Sequence, residues 1–183
     1  MAEEDRIRWD QRYSSRGPAS VESIGPPPVF APFAYMFPTA GHALELACGQ
    51  GLVAVWLASR GLDVWGLDAS PVAIEQAREL ARAAEVGDRC RFDAIDLDDG
   101  LPPGPQVVVV VCQRFRDRRL DRSVIGRLGS GGLLAITALS EVGATSGPFR
   151  VAAGELPAAF AELDVITAGE GTGLCWLLAR RPD

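Results

Sequence analysis

Residues 42–70 read HALELACGQGLVAVWLASRGLDVWGLDAS. A short apolar run ends in a glycine-rich turn, an amphipathic segment of helix length follows, and a second apolar run ends at Asp68. This order predicts a strand–helix–strand unit. Gly49 and Gly51 allow the turn to bend sharply and a ligand to lie against the main chain. Asp68 offers two acceptor oxygens, which suit the paired hydroxyls of a ribose. The stretch therefore predicts a site for a nucleoside-containing cofactor at the carboxyl ends of both strands.

The composition is that of an ordinary globular protein. Of the 183 residues, 48% are hydrophobic and 23% are charged, and this length predicts a single domain with a substantial core. We expect residues 1–38 to form an N-terminal helix and a covering segment, and residues 39–183 to form the core. The formal net charge of -6 argues against nonspecific binding to nucleic acid or to anionic membranes.

The chain contains no lysine, because all 18 of its basic residues are arginine. A Walker A loop, a pyridoxal phosphate enzyme and a protein kinase each require a lysine for their chemistry. The sequence therefore excludes these three classes of protein.

Cysteine and histidine are sparse. We interpret the four cysteines as small buried hydrophobic residues in a reducing cytosol, since Cys48, Cys90, Cys112 and Cys175 show no paired spacing. With His42 as the single histidine, no protein metal site is expected. The sequence shows no secretory signal pattern and no apolar stretch of about 18 residues, so neither export nor membrane spanning is indicated, and a cytoplasmic location is expected.

The segments before and after the opening stretch carry their own signals. Residues 2–13 predict a short helix, residues 14–28 a Pro-rich loop, and residues 29–37 a short aromatic helix that packs on the sheet or covers a pocket. Ser70 and Pro71 predict the start of the next helix, as its cap and first residue.

The second half continues the alternation of strands and helices. We predict strands at about 89–95, 107–111 and 133–138, and a terminal hairpin of strands 164–168 and 174–180. We predict a helix with a solvated basic face at 116–128 and a short helix at 154–163. A break is predicted at 129–132 and a polar loop at 140–150. Five consecutive valines predict a central strand of a parallel sheet, and the short glycine-rich link at 169–173 requires antiparallel pairing. The pattern predicts a doubly wound, Rossmann-like α/β sandwich with a mostly parallel seven-stranded sheet and a C-terminal antiparallel hairpin.

Two cofactors compete for the glycine turn. Gly49-x-Gly51-x-x-Ala54 also matches the looser dinucleotide fingerprint, and Asp68 lies 17 residues beyond Gly51, as an NAD(P)-binding fold would require. However, the Glu45 carboxylate just before the turn would repel a pyrophosphate and would favour a cationic cofactor tail. No lysine is present for a Tyr-x-x-x-Lys proton relay.

The residues from Glu45 to Gly51 resemble the first motif of the class I S-adenosylmethionine-dependent methyltransferases. Further stretches follow in that family's order: Gly66 to Ser70, Phe92 to Leu97, the valine strand, Leu128 to Leu134 and Gly154 to Phe160. With Trp9-Asp-Gln-Arg12-Tyr13, the chain is similar to the small tellurite-resistance and thiopurine methyltransferase branch. It departs from the family at Gln106, where an acid is usual.

The resemblance implies a set of cofactor-binding residues. It implies that Trp9, Arg12 and Tyr13 fold over the cofactor, and that its methionine and ribose are lined by Glu45, Ala47, Cys48, Gly49 and Gly51. It also implies that Asp68 holds the ribose hydroxyls, that Ala69 and Ser70 flank the adenine, and that Asp96 and the Leu97 amide contact the adenine. The departing methyl group is implied to lie near Cys112 and Gln113. Several of these residues also have plain structural interpretations: Asp68 and Asp96 as caps, Trp9 and Tyr13 as packing residues.

The resemblance also implies the reaction. We expect methyl transfer from S-adenosylmethionine to a small-molecule acceptor such as a thiol, a phenolate or a metalloid anion, by a monomer or homodimer. No general base is evident, so no catalytic residue is assigned. Residues 114–122 carry five arginines, which either attract an anionic substrate or form a solvated helix face. An NAD(P)-binding oxidoreductase and a non-catalytic S-adenosylmethionine-binding protein are the alternatives.

Overall fold

The computed structural model describes residues 3–145, 147 and 150–183. The strands within these residues are β1 (His42–Leu46), β2 (Asp63–Asp68), β3 (Cys90–Ala94), β4 (Val107–Cys112), β5 (Leu128–Leu139), β6 (Asp164–Gly171) and β7 (Leu174–Arg180). The α-helices within the same residues are α1 (Glu3–Arg16), α2 (Leu52–Ser59), α3 (Pro71–Ala83), α4 (Asp121–Arg127) and α5 (Glu155–Ala159). Residue 2 of the predicted N-terminal helix and residues 146, 148 and 149 of the predicted polar loop lie outside the described residues.

The seven strands form a mixed sheet in the order β3-β2-β1-β4-β5-β7-β6. The pairs β1–β2, β2–β3 and β4–β5 are parallel, whereas β7 is antiparallel to both β5 and β6. The predicted fold class, a doubly wound α/β sandwich with a terminal antiparallel hairpin, is therefore confirmed.

The chain divides into two compact units, Met1–Gly100 and Leu101–Asp183. In the first unit, the last residues of neighbouring strands pair in register: Leu46 pairs with Leu67, and Asp68 with Ala94. The carboxyl ends of β1, β2 and β3 therefore meet at one edge, which is where ligands bind in open α/β sheets.

The start of α3 follows the sequence prediction. The Ser70 side chain accepts a hydrogen bond of 3.1 Å from the amide of Ala73, and Pro71 is the first helical residue. Five small or apolar side chains of α3 are buried: Ala73, Ile74, Ala77, Leu80 and Ala81. Because Ser70 is itself fully buried, this cap fixes the direction in which the chain leaves β2.

The second unit is built on the valine strand and the terminal hairpin. Four of the five valines in β4 are buried, as predicted for a strand covered on both faces. The hairpin link is shorter than predicted, because β6 continues to Gly171 and only Thr172 and Gly173 turn the chain. Both residues have positive φ, 52° and 77°, which is typical of the two-residue turn that matches strand twist.

The predicted break at residues 129–132 is wrong. β5 begins at Leu128 and runs through the glycines, where Val107 pairs with Leu128 but Val109 pairs with Leu133. A Cβ atom on Gly132 would lie 2.8 Å from the carbonyl oxygen of Gly129. The glycines therefore form a bulge in which the chain folds closely on itself, rather than a loop between two elements.

The predicted helix 116–128 is also corrected. A 3₁₀ turn at Arg118–Leu120 precedes α4, which covers Asp121–Arg127. The Arg116 side chain is only 5% exposed, and Arg127 is also buried. A fully solvated basic face is therefore wrong for these two arginines, because the Asp121 carboxylate and the carbonyl oxygen of Pro102 accept their hydrogen bonds.

The aromatic segment before β1 forms a 3₁₀ helix over Pro28–Met36. Phe30 and Phe37 are buried, while Tyr35 is 79% exposed. The segment therefore contributes two rings to the core. Within the described residues, no helix combines the length and hydropathy that a membrane span requires.

Candidate cofactor site

The glycine-rich turn after β1 has a left-handed main chain at three of its residues. Ala47, Gly49 and Gly51 all have positive φ, between 51° and 75°. A Cβ atom on Gly51 would lie 2.8 Å from Cβ of Ala77, so a side chain there would push α3 away. The turn is thus a narrow cradle against which a ligand can approach the main chain.

Asp68 ties this turn to the start of α3. Its Oδ2 atom accepts a 2.8 Å hydrogen bond from the amide of Gly49, and its Oδ1 atom accepts one of 2.9 Å from the amide of Ser70. Burial raises the pKa of the Asp68 carboxyl, and the two amides oppose that rise. The carboxylate retains acceptor capacity on both oxygens. The interpretation of Asp68 as the cap of α3 is wrong, because Ser70 is the cap.

Glu45 lies on β1 and is 2% exposed. Burial raises the pKa of its carboxyl to about 8, although the amide of Ala54 donates a hydrogen bond to it. Within the described part of the chain, Oε2 of Glu45 has no hydrogen-bond partner. A buried oxygen without a donor is costly, and it fits a cationic ligand better than a pyrophosphate.

Helix α1 lies over the glycine turn. A Cβ atom on Gly49 would lie 2.8 Å from the Tyr13 hydroxyl. The Trp9 and Tyr13 rings stack with centroids 5.9 Å apart, and the Arg12 guanidinium lies 5.0 Å from the Trp9 ring centroid. Burial, and then the Asp68 carboxylate, raise the pKa of Tyr13. Three residues predicted to fold over the cofactor thus share one helix, with Tyr13 against the turn.

Polar residues that the sequence analysis did not single out hold α1 in place. The Ser70 hydroxyl donates to the Asp10 carboxylate. Gln50 Nε2 donates to the carbonyl oxygen of Gly17 at 2.6 Å and to Gln76 Oε1 at 2.9 Å. Asp10 stands inside the quoted Trp9–Tyr13 stretch and Gln50 inside the glycine turn, so position alone could have indicated both.

The predicted adenine contacts follow β2 and β3. Ser70 is fully buried and Ala69 is half-buried. Asp96 Oδ1 accepts a 2.9 Å hydrogen bond from the amide of Asp98, so Asp96 caps a short 3₁₀ turn, Leu97–Asp99. The amide of Ile95 donates to the carbonyl oxygen of Asp68. The structure therefore brings the segments that contain Asp68 and Asp96 together.

Two of the predicted cofactor residues belong to the second unit. Cys112 ends β4 and is buried, and its thiol donates to the carbonyl oxygen of Phe115 at 3.3 Å. The Gln113 side chain accepts from the Thr137 hydroxyl at 3.3 Å. Their place near a departing methyl group stays a prediction. Cys48, in the first unit, is also buried, and burial raises the pKa of its thiol.

The site of the first unit thus combines a glycine cradle with acidic side chains. Three carboxyl groups lie on or beside the turn, those of Glu45, Asp68 and Asp10. By contrast, Arg12 is the single basic residue among the predicted cofactor contacts. This donor set suits a cofactor that carries a positive charge and a ribose.

Comparison with known proteins agrees with this geometry. Residues 43–124 match the family profile of a methyltransferase domain. An uncharacterized RNA methyltransferase of Nitratidesulfovibrio vulgaris is 38% identical over 56 residues, which are 31% of this chain and 12% of that protein. One of Parasynechococcus marenigrum is 35% identical over 98 residues, which are 52% of this chain and 21% of that protein. The chain therefore spans only a small part of the curated relatives that it matches.

Solved structures share the fold at low identity. TehB from Haemophilus influenzae has a TM-score of 0.72 at 17% identity, over 96% of this chain and 66% of that one. Magnesium protoporphyrin IX methyltransferase of Synechocystis, with bound S-adenosylhomocysteine, has a TM-score of 0.71 at 14% identity, over 96% and 97% of the two chains. The glycopeptide N-methyltransferase MtfA, in complex with S-adenosylhomocysteine, has a TM-score of 0.64 at 18% identity, over 91% of each chain. Residues 43–124, a little under half of the chain, are thus similar to a methyltransferase domain, and the solved structures share the seven-stranded fold.

Proposed function

We propose that this protein transfers a methyl group from S-adenosylmethionine to a small-molecule acceptor by in-line displacement. The observation that carries the proposal is the buried carboxyl of Glu45, on the strand that leads into the glycine cradle. One of its oxygens has no hydrogen-bond partner in the part of the chain that the structure describes. A cationic cofactor would compensate this oxygen, whereas the pyrophosphate of a dinucleotide would not. The two units would act together as one domain.

Within this proposal the first unit binds the cofactor. Glu45, Ala47, Cys48, Gly49 and Gly51 would line its methionine and ribose. Asp68 would accept from the ribose hydroxyls with the lone pairs that the Gly49 and Ser70 amides leave unused. Ala69, Ser70, Asp96 and Leu97 would surround the adenine.

Helix α1 would complete this enclosure. Trp9, Arg12 and Tyr13 would cover the cofactor, with Arg12 available to its carboxylate. Such a cover holds the reactants in alignment and excludes water. Its supports are the contacts of Asp10 with Ser70 and of Gln50 with Gly17.

The bound cofactor supplies a sulfonium that is already a strong leaving group. The chain's own residues therefore need only orient the acceptor and exclude water. Tyr13 is unsuited to take a proton, because burial and the Asp68 carboxylate keep its phenol protonated. A soft or already ionised acceptor, such as a thiolate, a phenolate or a metalloid anion, fits a site without a strong base.

The similarity to the tellurite-resistance and thiopurine branch remains part of the proposal. It is supported by the quoted motifs and by the likeness of fold to TehB. The names of the curated relatives raise RNA as a second acceptor class. Against RNA stands the net charge of -6, since RNA binding relies on clustered basic residues.

The deciding experiment is a calorimetric titration with S-adenosylhomocysteine and with NADH, followed by a methyl-transfer screen. The proposal expects binding of S-adenosylhomocysteine, no binding of NADH, and product formation with a thiol, a phenol or a metalloid anion. Binding of NADH alone would support the oxidoreductase alternative. Cofactor binding with no transfer to any acceptor would support a non-catalytic role, and transfer to RNA alone would replace the acceptor class.

A further inference from the structure

A chain of hydrogen bonds joins the end of α1 to the glycine turn in the first unit. The Gln50 side chain stands between the two glycines of that turn and is 8% exposed. Its Nε2 atom donates to the carbonyl oxygen of Gly17 at 2.6 Å and to Oε1 of Gln76 at 2.9 Å. Gln76 in turn donates through Nε2 to the carbonyl oxygen of Tyr13 at 3.3 Å. The bonds therefore run from the main chain at the end of α1, through both side-chain amides, and back to α1.

The two carbonyl groups belong to the C-terminal end of α1. The helix ends at Arg16, and the last carbonyl groups of an α-helix lack partners further along the helix. The carbonyl oxygen of Tyr13 also accepts a 3.2 Å hydrogen bond from the amide of Gly17, whereas Gly17 lies just beyond the helix. The glutamine amides supply donors to this helix end, and they do so only while α1 lies over the turn.

The same end of α1 carries the ring that lies against the cradle. A Cβ atom on Gly49 would lie 2.8 Å from the Tyr13 hydroxyl, so this ring covers the main chain of the turn. The contact of Asp10 with the Ser70 hydroxyl holds α1 about one turn earlier. Gln76 lies on α3 and is not among the residues assigned to the cofactor. Its influence on a bound cofactor therefore passes through the partners of its amide.

We infer that Gln76 is a positioning residue that keeps α1 closed over the glycine turn and thereby slows the release of the cofactor. This inference rests on the proposed binding of S-adenosylmethionine. Opening of α1 breaks the hydrogen bond from Gln76 to Tyr13 and the bond from Gln50 to Gly17. A ligand beneath the Tyr13 ring leaves after that opening, as ligands do from sites covered by a lid. The departure of S-adenosylhomocysteine is thus linked to a contact on α3, away from the reacting atoms.

The test compares two variants of Gln76 with a matched control. Gln76→Met keeps the length of the side chain but loses the amide donor and the amide acceptor. Gln76→Glu keeps an acceptor for Gln50, but its carboxylate cannot donate to the Tyr13 carbonyl group. Glu79→Met places the same new side chain at an exposed position of α3. Hydrogen exchange over residues 9–17 of the free chain measures the opening of α1, and surface plasmon resonance measures the dissociation rate of S-adenosylhomocysteine.

Both variants of Gln76 should loosen α1 and speed release. Gln76→Met should raise the exchange rate of residues 9–17 and the dissociation rate by about fivefold or more, because two hydrogen bonds are lost. Gln76→Glu should also raise both rates, and Glu79→Met should leave both at the wild-type values. Exchange in β1 and β2 should stay unchanged in all three variants, which separates an effect on α1 from a general loss of structure.

Four results would overturn the inference. They are wild-type exchange over residues 9–17 in Gln76→Met, faster exchange there with an unchanged dissociation rate, equal increases in Glu79→Met, and faster exchange that extends through β1 and β2. Each would show that Gln76 does not control the release of the cofactor through α1.

Binding by the wild-type chain separates this inference from the proposed function. If the wild-type chain does not bind S-adenosylhomocysteine, the methyltransferase proposal fails, and the exchange measurement on the free chain still decides whether Gln76 holds α1. If the wild-type chain binds it and Gln76→Met releases it at the wild-type rate, the proposed function stands and only the inference fails.

Discussion

The amide of Gly49 and the Asp68 carboxylate lie 2.8 Å apart, although the two residues are nineteen positions apart in the chain. The other oxygen of the same carboxylate accepts from the amide of Ser70. Asp68 therefore joins the glycine turn after β1 to the cap of α3. This contact gives Asp68 a structural function that is separate from its proposed contact with a ribose.

Replacement of Asp68 should affect both stability and cofactor affinity. Asp68→Ala removes the acceptor of two buried amides, each of which costs about 1–3 kcal/mol when unsatisfied. We expect a lower melting temperature and a loss of S-adenosylhomocysteine affinity of about tenfold or more. Asp68→Asn, which keeps one acceptor oxygen, should lose less of both.

Calorimetry and thermal unfolding measure these two effects, with Asp88→Ala as a surface control, since Asp88 is exposed. Unchanged cofactor affinity in a folded Asp68→Ala variant would place the adenosyl pocket elsewhere.

Cofactor binding should release a proton from Glu45. The pKa of this carboxyl is about 8, so near pH 7 the group is largely protonated in the free chain. A nearby cation favours the ionised form, and affinity should therefore rise with pH up to about 8 and then level off. Titrations in two buffers with different ionisation enthalpies measure the proton release.

The amino group of S-adenosylmethionine titrates in the same range, so Glu45→Gln is the necessary comparison. The variant should show less proton release than the wild-type chain. Identical proton release in both chains would contradict the proposed contact between Glu45 and the cofactor.

Glu45 should also make the stability of the free chain depend on pH. Its folded-state pKa, about 8, lies above the ordinary value of 4.5. The contribution of this pKa shift to the free energy of unfolding is therefore fully present below pH 4.5 and is lost as pH rises toward 8. Each pKa unit corresponds to about 1.4 kcal/mol. As pH rises from 4.5 to 8, the free energy of unfolding of Glu45→Gln should therefore increase by several kcal/mol relative to that of the wild-type chain. Urea unfolding at pH 5 and pH 8.5 tests this, and a constant difference would refute it.

Arg114→Gly should raise the free energy of unfolding. Glycine adopts a φ of 54° without the penalty of about 1–2 kcal/mol that a Cβ atom brings. Arg114→Ala keeps that Cβ atom and should leave stability nearly unchanged, so the two variants separate strain from charge. Chemical denaturation of both variants is the measurement. Equal stabilities would mean that Arg114 is not strained in solution.

The two arginines that approach Glu155 should differ in their effect on stability. Arg116 is 5% exposed and pairs with Asp121, and its Nε lies 3.8 Å from Glu155, whereas Arg118 is 64% exposed. Removal of one partner from a buried pair costs about 3–5 kcal/mol, whereas solvent screens an exposed pair so that its loss changes stability little. Arg116→Met should therefore lower the free energy of unfolding far more than Arg118→Ala in urea titrations. Similar losses would show that burial does not set the strength of these pairs.

The local signals in the sequence predicted most of the elements. Five valines, the Ser70–Pro71 helix start and the glycine turn all act through neighbouring residues, so they can be identified without coordinates. Two errors, at residues 116–128 and 129–132, arose where side-chain pairing and a β-bulge overrode the local pattern. Such features depend on partners that are distant in the chain.

By itself, the sequence determined the order of strands and helices, the glycine cradle and the acid at the end of β2, because spacing and residue type suffice for these. Only the tertiary structure decided that Glu45 has a buried oxygen without a partner among the described residues, that Asp10 and Gln50 hold α1 over the turn, and that Arg116 is buried and paired with Asp121. The physical reason is that strand register and helix packing bring distant residues together. Burial and pairing depend on the distances between such residues, and the local sequence does not determine those distances.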